Sequence, residues 1–124
     1  MSALAWTGFL VAAVIGAPLR YLVDGAIGDR VGGAFPWGTF VVNASGSLLL
    51  GILTGLALYH GFPNTSKVIL GTGFCGSYTT FSTFSFETVR LMEEGATRTA
   101  LRNALGTLGV CGGAAALGLA LAAL

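Results

Sequence analysis

Four stretches of the chain are almost free of charge: about Leu4 to Val23, Trp37 to Tyr59, Val68 to Val89 and Asn103 to Leu124. Each holds about 20 residues, the length at which an α-helix crosses a ~30 Å hydrocarbon core. Polar residues collect between them. Asp24, Asp29 and Arg30 stand amid glycine and alanine up to Pro36, His60 to Lys67 forms a short turn, and Arg90, Arg98 and Arg102 flank the third connection. The pattern predicts an all-α membrane protein, one domain over residues 1–124 with four transmembrane helices. Pro18 and Arg20 mark a kink and an interface-seeking charge near the end of the first span, and aromatic rings bracket the second at headgroup level. The first stretch lacks a basic leader and outruns a signal-peptide core, so it is read as a retained helix.

The third span departs from the pattern of a lipid-facing helix. Gly71, Gly73 and Gly76 precede a run of hydroxyl residues that ends at Thr88. Glycine leaves the backbone free to unwind, and unwound backbone at membrane depth must be buried in protein or line a polar cavity. A helix break is therefore predicted near Gly73 to Thr79. Beyond it Thr80, Thr83 and Glu87 share one face, with Phe81 and Phe84 on the next. Phenyl edges are electropositive, and edges turned into a pore can face a small anion. Ordinary packing accounts equally well for two phenylalanines. Glu87 has three readings: snorkelling to water or pairing with Arg90, orienting the neighbouring hydroxyls, or repelling an anion outward.

In the second span Thr39, Asn43, Ser47, Gly51 and Gly55 recur every four residues, a stripe polar at one end and small at the other. The glycine end suits close helix packing. An amide at mid-bilayer is costly unless paired, so Asn43 is a candidate hydrogen-bond donor to an anion. In the fourth span Gly109 and Gly113 form a small-xxx-small pair for helix association, while Asn103 and Thr107 could line an aqueous vestibule.

Composition sharpens the solvent and excludes several classes. The 124 residues are 54% hydrophobic and only 9% charged, with mean hydropathy +0.82, against about 25% charge in soluble domains. A net charge of +1 with scattered cations argues against a nucleic-acid partner. Cys75 and Cys111 lie in apolar spans and fit neither a disulfide framework nor a zinc site with the single His60, so both are read as free packing thiols. Arg30, Arg90, Arg98 and Arg102 lie beside the first and third connections and only Lys67 beside the second, which places both termini outside by the positive-inside rule. No Ser/His/Asp or paired-carboxylate arrangement can be proposed, so catalysis fails on inventory.

The segment Gly73-Phe-Cys-Gly-Ser-Tyr-Thr-Thr-Phe-Ser-Thr-Phe-Ser-Phe-Glu87 resembles the GFCGGxTTFSTFSxE signature of the CrcB/Fluc family of fluoride channels. Pro36-Trp-Gly-Thr-Phe-Val-Val-Asn43 is similar to that family's PxGTLxxN, and Leu19-Arg20-Tyr21 supplies its helix-one arginine. The resemblance covers the whole chain. It implies a dual-topology antiparallel homodimer with a broken third helix, two fluoride pores, and a sodium ion at the dimer centre held by backbone carbonyls matched here by Gly76 and Thr79. Its pore residues match Asn43, Phe81 and Phe84, its polar track matches Thr80, Ser82, Thr83 and Glu87, and Arg20 takes a structural role. Two positions differ: Ser77-Tyr78 stands at a second glycine and its usually aliphatic neighbour, and Cys111 replaces a frequent serine.

The implied function is passive, selective fluoride efflux across a cell inner membrane or plasma membrane, with fluoride, sodium, lipid and a second copy as partners. Weak donors would replace the anion's hydration shell. A small multidrug transporter, also a four-span antiparallel dimer, would need an acidic residue in its first helix, and Met1 to Val23 has none. A glycine-zippered membrane scaffold would explain the glycines but not the Thr-Thr-Phe-Ser-Thr-Phe-Ser track.

Overall fold

The computed structural model describes all residues, Met1–Leu124, and is helical throughout. Helix α1 spans Ala3–Arg30, α2 spans Trp37–Tyr59 and α6 spans Thr97–Ala122. These three are long and apolar enough to cross a membrane. Between α2 and α6 lie a short turn of helix α3 (Asn64–Lys67), a π-helical segment Val68–Cys75, a second short turn α4 (Gly76–Tyr78), and α5 (Ser82–Glu93).

Helix α2 keeps the predicted limits, but α1 does not. It continues through Pro18 and past Val23 to Arg30, so Asp24 and Asp29 belong to a helix rather than to an irregular loop. Its 28 residues make it about 42 Å long, more than a bilayer core requires. Arg30 in the last turn complements the helix dipole. The extension is also anchored: a side chain at Gly38, in the first turn of α2, would collide with the carboxylate and carbonyl of Asp24. Arg20 likewise does not seek the interface and turns inward to the α4–α5 junction.

The core seam joins α2 to α6. A Cβ at Gly51 would meet the backbone of Ala115, and one at Gly118 would lie 2.5 Å from the Leu48 carbonyl oxygen and 2.7 Å from the Ile52 nitrogen. Gly55 faces Leu119 and Ala122. The glycine end of the α2 stripe thus lets two backbones touch. Gly109 and Gly113, expected to associate helices, have open space around them. Within one chain it is Gly118 that serves the seam, because Gly109 and Gly113 fall on the outer face of α6.

Helix α1 closes the other side by packing on the π-helical segment and α4. A Cβ at Gly73 would sit 3.1 Å from the Phe9 carbonyl, and one at Gly16 would sit 2.7 Å from the Phe74 carbonyl. These glycines serve close approach, and the stretch Gly71 to Cys75 stays helical in a wider i→i+5 winding. Helices α5 and α6 form a hairpin at Gly95, whose φ of 82° is the left-handed conformation that ends a helix most cheaply at glycine. The Ala96 and Gly95 N–H groups return to the Leu91 and Met92 carbonyls.

Candidate functional site

The helical path breaks at Thr79–Phe81, between α4 and α5, and not across the glycines upstream. Thr79 is extended, with ψ of 161°. The cause lies in another helix. Asn43 of α2 donates from Nδ2 to the Thr80 carbonyl at 2.9 Å and accepts the Thr80 N–H on Oδ1 at 2.8 Å. One amide side chain therefore satisfies both backbone groups of the residue that leaves the helix, which is what interrupted backbone in an apolar setting requires. Asn43 thus holds the break with one N–H of its amide, and the second N–H is the donor left for the anion expected there.

Two consequences follow for the carbonyls matched to the sodium ligands. In a continuous helix Thr80 N–H would bond the Gly76 carbonyl; here Asn43 holds it, so Gly76 is freed from that partner. The Thr79 carbonyl accepts from the Arg20 guanidinium at 3.2 Å. Backbone carbonyls are the right donor class for a hard cation. Gly76 fits that use directly, while Thr79 shares its oxygen with a cation and has only its second lone pair to give.

The break also starts α5. Thr80 Oγ1 accepts the otherwise free Thr83 N–H at 3.1 Å and donates to Thr83 Oγ1 at 3.1 Å. One helical turn beyond Thr83, Glu87 accepts a 2.5 Å hydrogen bond from Thr39 Oγ1 of α2. Glu87 therefore orients, and is oriented by, a hydroxyl; the cation Arg90 pairs instead with Glu94 at 3.7 Å. Thr39 was visible only as a member of the α2 stripe, one turn before Asn43, and its partner could not be read from the pattern.

Two cavities flank this junction. A groove of about 730 Å³ is lined by Asn43, Ser47, Gly76, Thr79, Thr80, Phe81, Phe84, Thr107 and Cys111 among others. Phe81 and Phe84 stand 5.9 Å apart with rings inclined at 45°, and Phe81 is 79% exposed. A smaller cavity of about 210 Å³ is lined by Arg20, Tyr21, Asp24, Thr39, Thr80 and Thr83 with Ala17 and Val42. Thr80 borders both, so it forms the wall between an aromatic side and a polar, charged side.

The predicted residues are thus divided. Asn43, Gly76, Thr79, Thr80, Phe81 and Phe84 meet at the groove, and Arg20 and Thr83 line the second cavity beside the Thr39–Glu87 pair. Ser82 joins neither: it begins α5, is exposed and makes no side-chain hydrogen bond. Asn103 is buried, donates to Thr88 Oγ1 at 2.8 Å and accepts from Thr107 at 3.2 Å, so it ties α5 to α6 instead of lining a vestibule. Asp24, taken for a loop residue, is the functional-site neighbour that hydropathy hid.

The fold and this junction define a multi-pass membrane protein with a polar breach between its helices. A family model described as CrcB-like protein, Camphor Resistance (CrcB), matches residues 7–119, and the chain belongs to that family. It is 48% identical over 122 residues to a protein of Frankia casuarinae named Fluoride-specific ion channel FluC 1, covering 94% of this chain and 95% of the relative. Proteins of the same name match at 45% identity in Streptomyces avermitilis, over 91% of each chain, and at 48% in Symbiobacterium thermophilum, over 95% of this chain and 97% of the relative. These relatives are named as channels, not as enzymes. The match also decides against the multidrug transporter, whose exclusion by the lack of an acidic residue in the first helix no longer stands once α1 includes Asp24.

Proposed function

We propose that the chain is a fluoride-selective channel that lets the anion leave the cytoplasm passively across the cell inner or plasma membrane. Fluoride enters acidified surroundings as neutral HF, loses its proton inside, and leaves through this pore. The observation that carries the reading is the Asn43 clamp on Thr80, which opens a helix beside Phe81 and Phe84 and turns Thr80 and Thr83 toward a polar cavity. Hydroxyl O–H groups and phenyl edges are weak donors that can replace a hydration shell without trapping the ion. The relatives named Fluoride-specific ion channel support the choice of anion.

The working unit is an antiparallel homodimer of dual topology, with four spans per chain and the third formed by the π-helical segment, α4 and α5 across the break. Each chain alone leaves the groove open on the side of Phe81, which is where a second copy completes a pore wall. The carbonyls of Gly76 and Thr79 from both chains would hold a sodium ion at the dimer centre, and Arg20 fixes the direction of the Thr79 carbonyl. The ion would supply a fixed positive charge that ties the carbonyl dipoles of the two chains together.

The test is anion efflux from liposomes carrying purified dimer, for fluoride and chloride in parallel. Fluoride efflux well above chloride, lost in Phe81→Ile and in Asn43→Asp while the dimer stays intact, supports the reading. Intact dimers that release neither anion would overturn it in favour of a membrane scaffold.

A further inference from the structure

Outside the junction, the feature that the proposed channel leaves unused is a pair of cations on α6. Arg98 and Arg102 are one turn apart, both exposed, and neither makes an ion pair or side-chain hydrogen bond in the chain. The acidic residues nearest in sequence do not serve them: Glu94 pairs with Arg90, and Glu93 is exposed with no ion pair. On the helix wheel the two arginines lie opposite the buried Asn103 and Thr107, away from α2 and α5. One exposed leucine, Leu101 at 57%, adjoins them, whereas Leu105 on the neighbouring face lines the groove beside Phe81 and Phe84.

Depth gives the pair its partner. Helix α6 has 26 residues, about 39 Å, which exceeds the ~30 Å hydrocarbon core by roughly six residues. Placing the uncharged stretch Asn103–Ala122 in the core sets Arg102 at its boundary and Arg98 about 6 Å farther out, where lipid phosphates lie. A guanidinium offers a planar fork of donors suited to phosphate oxygens. Two such forks with no internal partner, beside the exposed Leu101 and at the edge of an uncharged helical stretch, match an anionic phospholipid head group.

We infer that Arg98 and Arg102 form a binding site for the phosphate of an anionic phospholipid on the outer face of α6. The site is independent of which anion the pore conducts. Because each cation near an anionic surface contributes about fivefold in affinity, removing both costs roughly 25-fold.

The experiment is native mass spectrometry of the full-length dimer in detergent, titrated with phosphatidylglycerol or phosphatidylcholine of identical chains. Wild type is compared with Arg98→Gln/Arg102→Gln and with Arg30→Gln, an exposed arginine elsewhere, all checked for unchanged helicity and dimer mass. Phosphatidylglycerol preference in wild type and Arg30→Gln that falls by tenfold or more in the double variant supports the site. Equal binding of both lipids by wild type, or an undiminished preference in the double variant, overturns it. Inorganic phosphate is the last arm: if it displaces phosphatidylglycerol at low millimolar concentration, the pair is a free-phosphate site and the lipid assignment fails.

Discussion

The α2–α6 seam and the α4–α5 junction both bring α2 against the backbone of another segment, and they do so by opposite means. At the seam, side chains are removed: Gly51, Gly55 and Gly118 let main chains touch while both helices run on without interruption. At the junction, a side chain is added: Asn43 replaces the helical partners of Thr80 and so permits the helix to stop. A membrane gives no hydrophobic drive for helix pairing, so packing and polar satisfaction must do the work. The seam uses the first; the junction uses the second, and it is where a freed carbonyl and hydroxyls become available to ions.

If this contrast holds, the largest effect comes from refilling the seam. Gly51→Leu drives a side chain into the Ala115 backbone and should cost about 3 kcal/mol or more, with loss of a monodisperse species in size-exclusion chromatography. Gly109→Leu, at a glycine of the same helix pair with open space around it, should leave helicity and thermal midpoint close to wild type. Equal damage from the two would break the distinction between seam and outer face.

Next is the junction itself. Asn43→Ala leaves both Thr80 backbone groups without their partner, at about 2–4 kcal/mol. Because the seam does not depend on Asn43, the protein should still fold and dimerise while fluoride efflux from liposomes disappears. Hydrogen exchange should rise at Thr80 and Thr83 and stay low along Gly51–Gly55. Uniform loss of protection would mean that seam and junction form one cooperative unit.

How much of this was legible differs between the two regions for a physical reason. The limits of α2 could be read because no charge interrupts it and aromatics ring both ends, and the seam because glycine recurs every fourth residue. The same small-residue rule misassigned Gly109 and Gly113, since it identifies a face that can pack closely but not the face that does. Hydropathy ended α1 at Val23 because it reports the solvent a residue prefers and not its backbone conformation; Asp24 is polar and helical at once. The break was expected near Gly73 to Thr79 and begins at the last of these residues; the glycines before it stay helical, and what opens the chain is a partner 37 residues away in sequence. The hydroxyls of Thr80 and Thr83 could be placed by periodicity, but the tie from Thr39 to Glu87 is a tertiary contact with no local signature.

A smaller effect is expected where the polar side of the junction meets α2. Thr39→Val keeps shape but removes the donor to Glu87, so the carboxylate loses its fixed orientation. The cost is about 1.5 kcal/mol in stability. Fluoride efflux should slow several-fold without being abolished, because the Asn43 clamp is untouched. Thr39→Ser, which restores the hydroxyl, should recover both stability and rate; a slow Thr39→Ser would point to the lost methyl and to packing instead.

The smallest effect tests whether any polar contact near the break matters or only those facing the junction. Arg90 and Glu94 lie on α5 and just past its end, one turn apart, with side chains 51% and 60% exposed, and their 3.7 Å pair is open to water or head groups. An exposed i, i+4 pair contributes about 0.5 kcal/mol or less. Glu94→Gln should therefore leave the thermal midpoint within about a degree or two and the efflux rate unchanged. Thr39→Val and Glu94→Gln each remove one polar contact of α5, yet only the first holds a carboxylate in place against α2. Comparable losses from both would mean that the charge of the α5–α6 hairpin, rather than the geometry set by α2, controls the junction.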